Sequence, residues 1–290
     1  MNNTLVVDGI HYRYGNKEVL SDVQFTCQDG IVALLGNNGA GKSTLMNILV
    51  GLKTAQRGTA QLNGINLFDR ESYPLQKVGY LPQDFEIYGN VSGYDFLSYV
   101  YDLKNLHKSN KKAEIEKLVS QFDLHSVIKK NFRTYSGGYK RRLGIAQAVL
   151  GNPELIIVDE PSVGLDPEQR MQFRSFLADI SKNAITIIST HIIEDIELYS
   201  DTILVLKDRT IQFQGTVKKA LDIARTHLME MELTRSQLTT FKRQATVIEE
   251  KRIDHDLVKV KFIQNKTITE NCHPVQEVSL ENAYVCFQKI

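Results

Sequence analysis

The chain has 290 residues, with 35 basic and 34 acidic side chains and a formal net charge of +1. Hydrophobic residues make up 42% and charged residues 24%, a globular composition that excludes wholesale disorder. This length corresponds to about two domains. The near-neutral charge argues against a dedicated nucleic-acid binder, because such proteins usually carry a basic patch.

Membrane spans, leader sequences and disulfides are not expected either. The apolar runs are far shorter than the roughly 18 residues that a membrane span requires, and the first residues lack the features of a secretory signal. Cys27, Cys272 and Cys286 are widely spaced and odd in number, which favours reduced, buried thiols over a disulfide framework or a zinc cluster. We therefore expect a cytoplasmic protein.

The first part of the chain carries β-forming segments and one helix. Residues 4–7 and 23–27 are rich in β-formers, with a turn at 14–16 between them. Residues 31–35 are continuously apolar, which predicts a strand buried on both faces. A helix is expected directly after this strand, with an apolar face that extends to Leu52.

Buried strands then alternate with helical segments. Strands are expected at 155–158, 184–188 and 203–206, and this alternation is typical of an α/β domain with a largely parallel sheet. Between about 84 and 151 no buried strand is indicated, and the apolar spacing within 111–130 predicts a helix. We expect an inserted helical subdomain in this part of the chain.

The pattern changes again after residue 215. Residues 229–233 and 257–262 alternate between apolar and charged side chains, as half-exposed strands do. Helices are expected near 236–244 and 279–289. These elements predict a small α+β domain.

A glycine-rich segment follows the strand at 31–35. Residues 36–43 match G-x-x-x-x-G-K-[ST] at every fixed position. Such a loop turns backbone N–H groups, and the N-terminus of the helix that follows, toward phosphate oxygens. Lys42 is expected to reach the β- and γ-phosphates, and Ser43 to ligate Mg²⁺. The predicted nucleotide-binding residues of this loop are Asn37, Asn38, Gly39, Ala40, Gly41, Lys42, Ser43 and Thr44.

The residues around this loop disfavour two other nucleotide-binding folds. A dinucleotide-binding loop would need a third small residue where Thr44 stands. A GTPase would need an Asn-Lys-x-Asp guanine reader, and the nearest segment, at 265–268, lacks the Asp. The loop alone leaves kinases, motors and transport ATPases open.

Five further segments follow in a fixed order. They are Gly79-Tyr80-Leu81-Pro82-Gln83, Tyr135-Ser136-Gly137-Gly138-Tyr139, Asp159-Glu160-Pro161, Gly164-Leu165-Asp166 and Ser189-Thr190-His191. In this order and spacing they resemble the Q-loop, signature sequence, Walker B strand, D-loop and H-loop of the ATP-binding cassette (ABC) ATPases. The resemblance covers about residues 4–215. It implies an α/β P-loop NTPase cassette, in which a mixed sheet carries a helical subdomain, with ATP and Mg²⁺ as cofactors.

The resemblance assigns catalytic roles to four residues. Glu160 accepts the proton of the attacking water or orients it, and His191 contacts that water and the γ-phosphate. Gln83 is a water ligand that senses the membrane partner. Lys42 meets the charge on the phosphoryl group that is transferred.

The resemblance also implies which residues bind Mg²⁺ and which residue contacts the adenine of ATP. Asp159 ends an apolar strand, where its carboxylate holds Mg²⁺ across from Ser43, and Gln83 is a further metal ligand. Tyr14 resembles the aromatic residue that stacks on adenine in this family.

The signature sequence implies a dimer. In the family this segment closes over the ATP of a facing subunit, so that two nucleotides are held between two chains. The residues expected at this contact are Ser136, Gly137, Gly138 and Asp166. The chain departs from the usual signature at Tyr135, where Leu is common, and at Tyr139, where Gln is typical. We expect hydrolysis to survive these changes, whereas the strength and geometry of dimer closure are open.

Two further segments concern partners. Residues 80–101 contain seven aromatic side chains, where the chain average of 8% gives about two. By resemblance, the groove beside the Q-loop receives a cytoplasmic helix of a membrane-spanning subunit, and we expect Phe85, Ile87 and Tyr88 to line it.

Residues 278–284 resemble the C-terminal ending of export-type ABC ATPases, although Asn282 replaces the usual acid.

These observations predict a cassette over 1–215, with its helical subdomain at about 84–151, and an accessory domain over 216–290. The predicted function is that of the ATPase subunit of an ABC exporter that powers a separate membrane-spanning subunit. An amphipathic peptide, antimicrobial or lipid-like substrate is favoured. The chain would lie at the cytoplasmic face of the cell membrane, held there by this partner.

Other interpretations stay open beside this one. Complete motifs favour two identical chains in the dimer, although a pairing with a related chain is also open. The alternative function is a soluble ABC ATPase acting on ribosomes or DNA. It is disfavoured by the single cassette, by the short stretch between Lys42 and Ser136, and by the balanced charge, which indicates no nucleic-acid partner. A cassette that binds ATP without catalysis conflicts with the presence of Glu160 and His191.

Overall fold

The computed structural model describes residues 2–161, 166–190, 193–264 and 272–290. Its strands are β1 (Thr4–Tyr14), β2 (Lys17–Gln28), β3 (Gly30–Leu35), β4 (Arg57–Leu62), β5 (Ile65–Asn66), β6 (Val78–Leu81), β7 (Leu155–Asp159), β8 (Ile185–Ser189), β9 (Thr202–Lys207), β10 (Thr210–Gly215), β11 (Leu228–Thr234), β12 (Val247–Arg252), β13 (Leu257–Ile263) and β14 (His273–Pro274). Its helices are α1 (Lys42–Leu49), α2 (Gly93–Leu103), α3 (Lys111–Gln121), α4 (Gly137–Val149), α5 (Pro167–Ile180), α6 (Ile193–Tyr199), α7 (Val217–His227), α8 (Arg235–Phe241) and α9 (Leu280–Lys289).

A six-stranded mixed sheet forms the centre of the molecule, in the order β10-β9-β3-β8-β7-β6. The strands from β9 to β6 run parallel to their neighbours, and β10 pairs antiparallel with β9. Strands β3, β7 and β8 therefore end at one edge, where Leu34 and Asp159 both pair with Ser189. The predicted α/β fold is confirmed, and the loops after these three strands lie side by side.

Strand β3 is buried on both faces. Val32 and Leu34 pack with α1 and with an antiparallel sheet of order β2-β1-β4-β5. On the opposite face, Ile31 belongs to the apolar core that α2 to α5 share, whereas Ala33 and Leu35 belong to the core that contains α7 and α9. Burial of both faces requires a continuous apolar sequence, which explains why this strand shows no alternation.

Helices α2, α3 and α4 lie between β6 and β7 and share one apolar core. The helix predicted over 111–130 is shorter, because α3 ends at Gln121 and Asp123 adopts a left-handed conformation with φ of +50°. The prediction that the apolar face of the first helix extends to Leu52 is also wrong. Helix α1 ends at Leu49, Gly51 turns the chain with φ of +76°, and Leu52 is 66% exposed.

The last part of the chain contains an antiparallel sheet of order β12-β13-β11-β14. Its helix α9 contacts this sheet through Asn282 and also packs, together with α7, on the central sheet. Cys27 and Cys286 are buried, as the sequence predicts, whereas Cys272 is only partly buried. Burial raises the pKa of Cys27 to about 12. None of the helices in the described ranges has the length and apolar character that a membrane crossing needs.

Candidate active site

The glycine-rich loop links β3 to α1 through a backbone that only glycine readily adopts. Gly39 and Gly41 have φ values of +80° and +111°. A Cβ atom on Gly41 would lie 2.9 Å from Cδ2 of Leu20 and 3.1 Å from the carbonyl oxygen of Val19. Gly41 thus combines a left-handed conformation with a close approach of β2 to the loop.

Helix α1 begins at Lys42, directly after this turn. Within the described residues, no side chain caps its N-terminus. The first backbone N–H groups of a helix have no partner inside the helix and carry the positive end of its dipole. Such an end favours an anion, which is the physical reason to expect a phosphate at the loop and the start of α1.

The ammonium group of Lys42 folds back over the loop. Its Nζ donates to the carbonyl oxygen of Gly36 over 2.7 Å and to that of Asn37 over 3.3 Å. Burial lowers the pKa of Lys42, and the nearby carboxylates of Glu160 and Asp159 act against this shift. Both carboxylates that oppose the lowering of this pKa come from the C-terminal end of β7, which therefore lies close to the loop.

Strand β7 delivers two carboxylates to the same edge. Asp159 is buried, and its Oδ1 accepts a hydrogen bond from the hydroxyl of Ser189 at the end of β8. Glu160 follows with φ of +47°, a left-handed conformation that is rare outside glycine. Its backbone N–H donates to Ser189 Oγ over 3.0 Å and to the Ser189 carbonyl oxygen over 3.1 Å. Neighbouring strand β8 thus fixes both the strained backbone and the Asp159 carboxylate.

A cleft of about 670 Å³ brings these elements together. Its lining residues are Tyr14, Lys17, Val19, Asn38, Gly39, Gly41, Lys42, Ser43, Thr44, Gln83, Asp159 and Glu160. Tyr14 stands at the rim with 46% exposure, and its hydroxyl lies 3.4 Å from Oγ1 of Thr44. The Tyr14 ring has Lys53 Nζ 5.0 Å from its centroid. Four separately predicted motifs therefore meet in one cleft.

Comparisons with known proteins identify the family of the chain. Residues 20–163 match the family model for ABC transporters. The chain is 31% identical over 230 residues to the uncharacterized ABC transporter ATP-binding protein YxlF of Bacillus subtilis, covering 79% of this chain and 76% of that protein. It is 33% identical over 252 residues to the bacitracin transport ATP-binding protein BcrA of Enterococcus faecalis, covering 86% of this chain and 79% of BcrA. The chain belongs to the ABC transporter ATP-binding proteins.

A solved structure agrees with the assignment. A protein described as the ATP binding subunit of an ABC transporter superposes with a TM-score of 0.69 and 28% identity, covering 76% of this chain and 92% of that one. Hydrolysis of ATP is the activity of this family, so the chain is an ABC ATPase. The cleft at the edge of the central sheet is the candidate site for it.

The signature segment of the ABC ATPase lies apart from this cleft. Ser136 is exposed and caps α4 by accepting a hydrogen bond from the Tyr139 N–H. Gly137 and Gly138 open that helix. Asp166 is exposed as well, and its carboxylate caps α5 by accepting from the backbone N–H of Gln169 over 2.8 Å. None of these four residues is among those that line the described cleft.

The two departures from the usual signature have structural explanations. Tyr135 is buried in the helical core, and its hydroxyl donates to the Val127 carbonyl oxygen over 2.8 Å. The hydroxyl of Tyr139 lies 3.2 Å from Oγ of Ser126, and the Arg142 guanidinium lies 5.5 Å from the Tyr139 ring centroid. Both tyrosines thus brace the start of α4 and leave Ser136 exposed.

His191 and the segment 164–165 lie outside the described residues. The expected groove residues also differ from one another, because Tyr88 is 84% exposed whereas Phe85 and Ile87 pack against the helical core. The Phe85 ring centroid lies 5.8 Å from that of Phe96, so Phe85 supports the subdomain as well as facing a neighbouring cleft.

Sequence reasoning missed two residues with a direct bearing on the site. Ser189 connects the Asp159 carboxylate with the Glu160 backbone, as described above. Arg141, on α4, is buried and donates to five backbone carbonyl oxygens, which belong to Pro82, Gln83, Asp159, Glu160 and Pro161. Burial lowers its pKa to about 10, although Asp159, Asp84 and Glu160 oppose that shift. The signal available for Arg141 was its place three residues after the signature Gly138.

Proposed function

We propose that the cleft binds Mg-ATP and hydrolyses it with the residues named from the sequence. The observation that carries the proposal is the meeting of the glycine-rich loop with Asp159 and Glu160 at one cleft. In this proposal the loop residues 37–44 hold the phosphates through backbone N–H groups and Lys42. The exposed ring of Tyr14 at the rim stacks on adenine.

The donor set at the cleft fits Mg²⁺. This ion prefers oxygen ligands, and in nucleotide sites it takes one or two from the protein and the rest from phosphates and water. Ser43, Asp159 and Gln83 supply a hydroxyl, a carboxylate and an amide oxygen to the same cleft. The hydrogen bond from Ser189 orients the Asp159 carboxylate for this role. Bound Mg²⁺ would neutralise charge on the phosphates during transfer.

Hydrolysis is proposed to depend on Glu160 and His191. The left-handed backbone of Glu160 holds its carboxyl group at the end of β7, where it can accept the proton of an attacking water. Lys42 meets the charge that develops on the phosphoryl group. Gln83 lines the same cleft and, through its carbonyl oxygen, contacts Arg141. His191 keeps the role that the family resemblance implies.

A second nucleotide-binding subunit is proposed to complete the site. Ser136 is exposed at the N-terminus of α4 and lies outside the cleft of its own chain. A facing chain would bring its Ser136, Gly137, Gly138 and Asp166 to the γ-phosphate. Two identical chains can form this arrangement, since each carries both halves of the site; a related chain is the alternative partner.

We further propose that the chain is the 1–215 cassette of an exporter with a 216–290 accessory domain. A separate membrane-spanning subunit would hold it at the cytoplasmic face of the membrane. An amphipathic peptide, antimicrobial or lipid-like compound is the proposed substrate class. The similarity to BcrA, which is named for bacitracin transport, supports this class.

The test is reconstitution with the membrane subunit. The tagged chain is purified from detergent-solubilised membranes of its own cells, the co-purified multi-span protein is identified, and both are placed in lipid vesicles. ATP-dependent movement of a labelled cyclic peptide antibiotic is then measured from the side that carries the chain. Movement with the wild-type chain and none with Glu160→Gln supports the proposal. Vesicles that hydrolyse ATP without moving the peptide refute the substrate class, and a chain that binds no membrane subunit refutes the transporter role.

A further inference from the structure

A hydrogen bond joins the C-terminal helix to the glycine-rich loop. The hydroxyl of Tyr284 on α9 donates to Oδ1 of Asn37 over 3.0 Å. Burial raises the pKa of Tyr284, so the hydroxyl keeps its proton and stays a donor. Asn37 belongs to the loop that precedes α1, whereas Tyr284 lies 247 positions further along the chain.

Helix α9 is firmly packed beneath this contact. Cys286 and Phe287 are buried in the core that also contains Leu35, the last residue of β3 before the loop. The Phe287 ring stacks on Phe213 of β10 with a centroid distance of 4.7 Å. The Lys207 ammonium, at the end of β9, donates to the Phe287 carbonyl oxygen over 3.2 Å. The helix is therefore fixed to the strands that support the loop.

The same helix is tied to the C-terminal sheet through Asn282. This side chain is 3% exposed, and its Nδ2 donates to Oε2 of Glu249 on β12 over 2.7 Å. Its Oδ1 accepts from Nζ of Lys261 on β13 over 3.0 Å. An acid at position 282, as in the export-type ending, would place a second carboxylate against Glu249. The Asn282 amide therefore connects α9 to the C-terminal sheet, and α9 in turn contacts the glycine-rich loop.

Fixing Asn37 also fixes the groups around the phosphate site. The Asn37 carbonyl oxygen accepts from the Ala40 N–H over 3.0 Å, which closes the first turn of the loop. The same oxygen lies 3.3 Å from Nζ of Lys42. A displacement of Asn37 therefore moves both the turn and a hydrogen-bond acceptor of the lysine.

We propose that Tyr284 is a positioning residue for ATP binding: its hydroxyl holds Asn37 and so connects the C-terminal unit to the nucleotide site. The inference rests on the proposed role of the loop in binding ATP. Because coupling between two sites is reciprocal, ATP stabilises the packing of α9 by as much as the packing of α9 favours ATP. Movement of the C-terminal sheet would reach the nucleotide through Asn282, α9 and Tyr284.

The first test is Tyr284→Phe in the full chain, which removes the hydroxyl and keeps the ring. We expect the KM for ATP to rise roughly threefold to tenfold, the range that loss of one hydrogen bond gives, with kcat unchanged. Asn37→Ala should raise KM similarly, and the double variant should rise no further. The matched control is Tyr101→Phe, which loses a 2.8 Å hydrogen bond to the His107 carbonyl oxygen in the helical subdomain. It should leave the KM for ATP at the wild-type value.

Hydrogen exchange supplies a readout apart from turnover. ATP should slow amide exchange in α9 of the wild-type chain and have a smaller effect in Tyr284→Phe. The inference is overturned if the effects of Tyr284→Phe and Asn37→Ala on KM add in the double variant. It is also overturned if ATP slows exchange in α9 equally in the wild-type chain and in Tyr284→Phe.

Lys42→Ala distinguishes a failure of the proposed ATP site from a failure of the proposed role of Tyr284. If it binds ATP like the wild type, the proposed site is wrong; if it has lost ATP while Tyr284→Phe keeps the wild-type KM, only the role of Tyr284 is refuted.

Discussion

The guanidinium of Arg141 donates a 2.7 Å hydrogen bond to the backbone carbonyl oxygen of Glu160. The same group contacts the carbonyl oxygens of Asp159 and Pro161 and those of Pro82 and Gln83 after β6. Arg141 lies on α4, whose N-terminus carries the signature residues. One buried side chain therefore connects the signature helix with the segments after two strands of the central sheet.

Replacing Arg141 with Lys should reduce kcat for ATP by more than tenfold and change the KM much less. Lysine keeps a positive charge, but its single ammonium group cannot reach five carbonyl oxygens that a planar guanidinium spans. Some buried carbonyl groups would then lose their partner, and the Glu160 backbone would lose one of its supports. Steady-state ATP hydrolysis by the purified chain measures the effect.

The neighbouring Arg142 provides the matched control for this change. Its guanidinium donates to the side chain of Asp123, after α3, and to that of Gln172 on α5, both away from the backbone carbonyl groups that Arg141 contacts. Arg142→Lys should hydrolyse ATP at the wild-type rate. Equal losses in both variants would show that the position of Arg141 is not special, and an Arg141→Lys variant with full kcat would contradict its role in holding Glu160.

The Glu160 carboxyl group is expected to prepare the attacking water. Glu160→Gln keeps the size of the side chain and removes its capacity to accept a proton. We expect ATP to bind with wild-type affinity while turnover falls on the order of a hundredfold or more, the usual range for a lost general base. The ATP-bound dimer should also accumulate, which size-exclusion chromatography with ATP detects.

Glu116→Gln serves as the control, because Glu116 is a surface residue of α3 with 62% of its side chain exposed. It should leave both dimerisation and turnover unchanged. A Glu160→Gln variant that hydrolyses ATP at the wild-type rate would remove Glu160 from the role of base.

Gly41 tests the geometry of the loop itself. Gly41→Ala should weaken ATP binding at least tenfold, because alanine disfavours a φ of +111° and its Cβ would press on Leu20 and Val19. Titration calorimetry with ATP measures the affinity. Gly64→Ala is the control, since Gly64 also has a positive φ, of +79°, but open space around its Cβ position. If both variants bind ATP equally well, close packing of the loop on β2 is not required.

Much of this site could be predicted because its chemistry depends on local sequence. The loop at 36–43 is contiguous, and the strands before it and before Asp159 are apolar without interruption. The structure then brings Tyr14, Gln83 and Glu160 to the same cleft. Strand β6 was not predicted, because it has only four residues and includes Gly79, where a side chain would overlap the Ala148 backbone.

Contacts between distant segments could not be predicted from the sequence. Arg141 acts on backbone carbonyl groups, which every residue possesses, so no pattern of side chains identifies its partners. The bond between Tyr284 and Asn37 depends on how α9 packs against β3 and β9, which neither segment reveals alone. The aromatic residues near the Q-loop show the same limit, because Phe85 packs in the helical core and Tyr88 does not.

Tyr88 is accordingly the residue that best tests the surface for the membrane subunit. It is 84% exposed, whereas an alanine at Phe85 would also remove core packing against Phe96 and Phe132. Exposed aromatic residues supply much of the binding energy at protein contacts. Tyr88→Ala should weaken the complex with the membrane subunit about tenfold, measured by titration of the purified chain onto that subunit in lipid nanodiscs. Tyr99→Ala, at a tyrosine of α2 that is 63% exposed, is the control and should bind as tightly as the wild type. Unchanged binding by Tyr88→Ala would remove this residue from the docking surface, because an exposed side chain that contacts a partner cannot be shortened to alanine without loss of contact area.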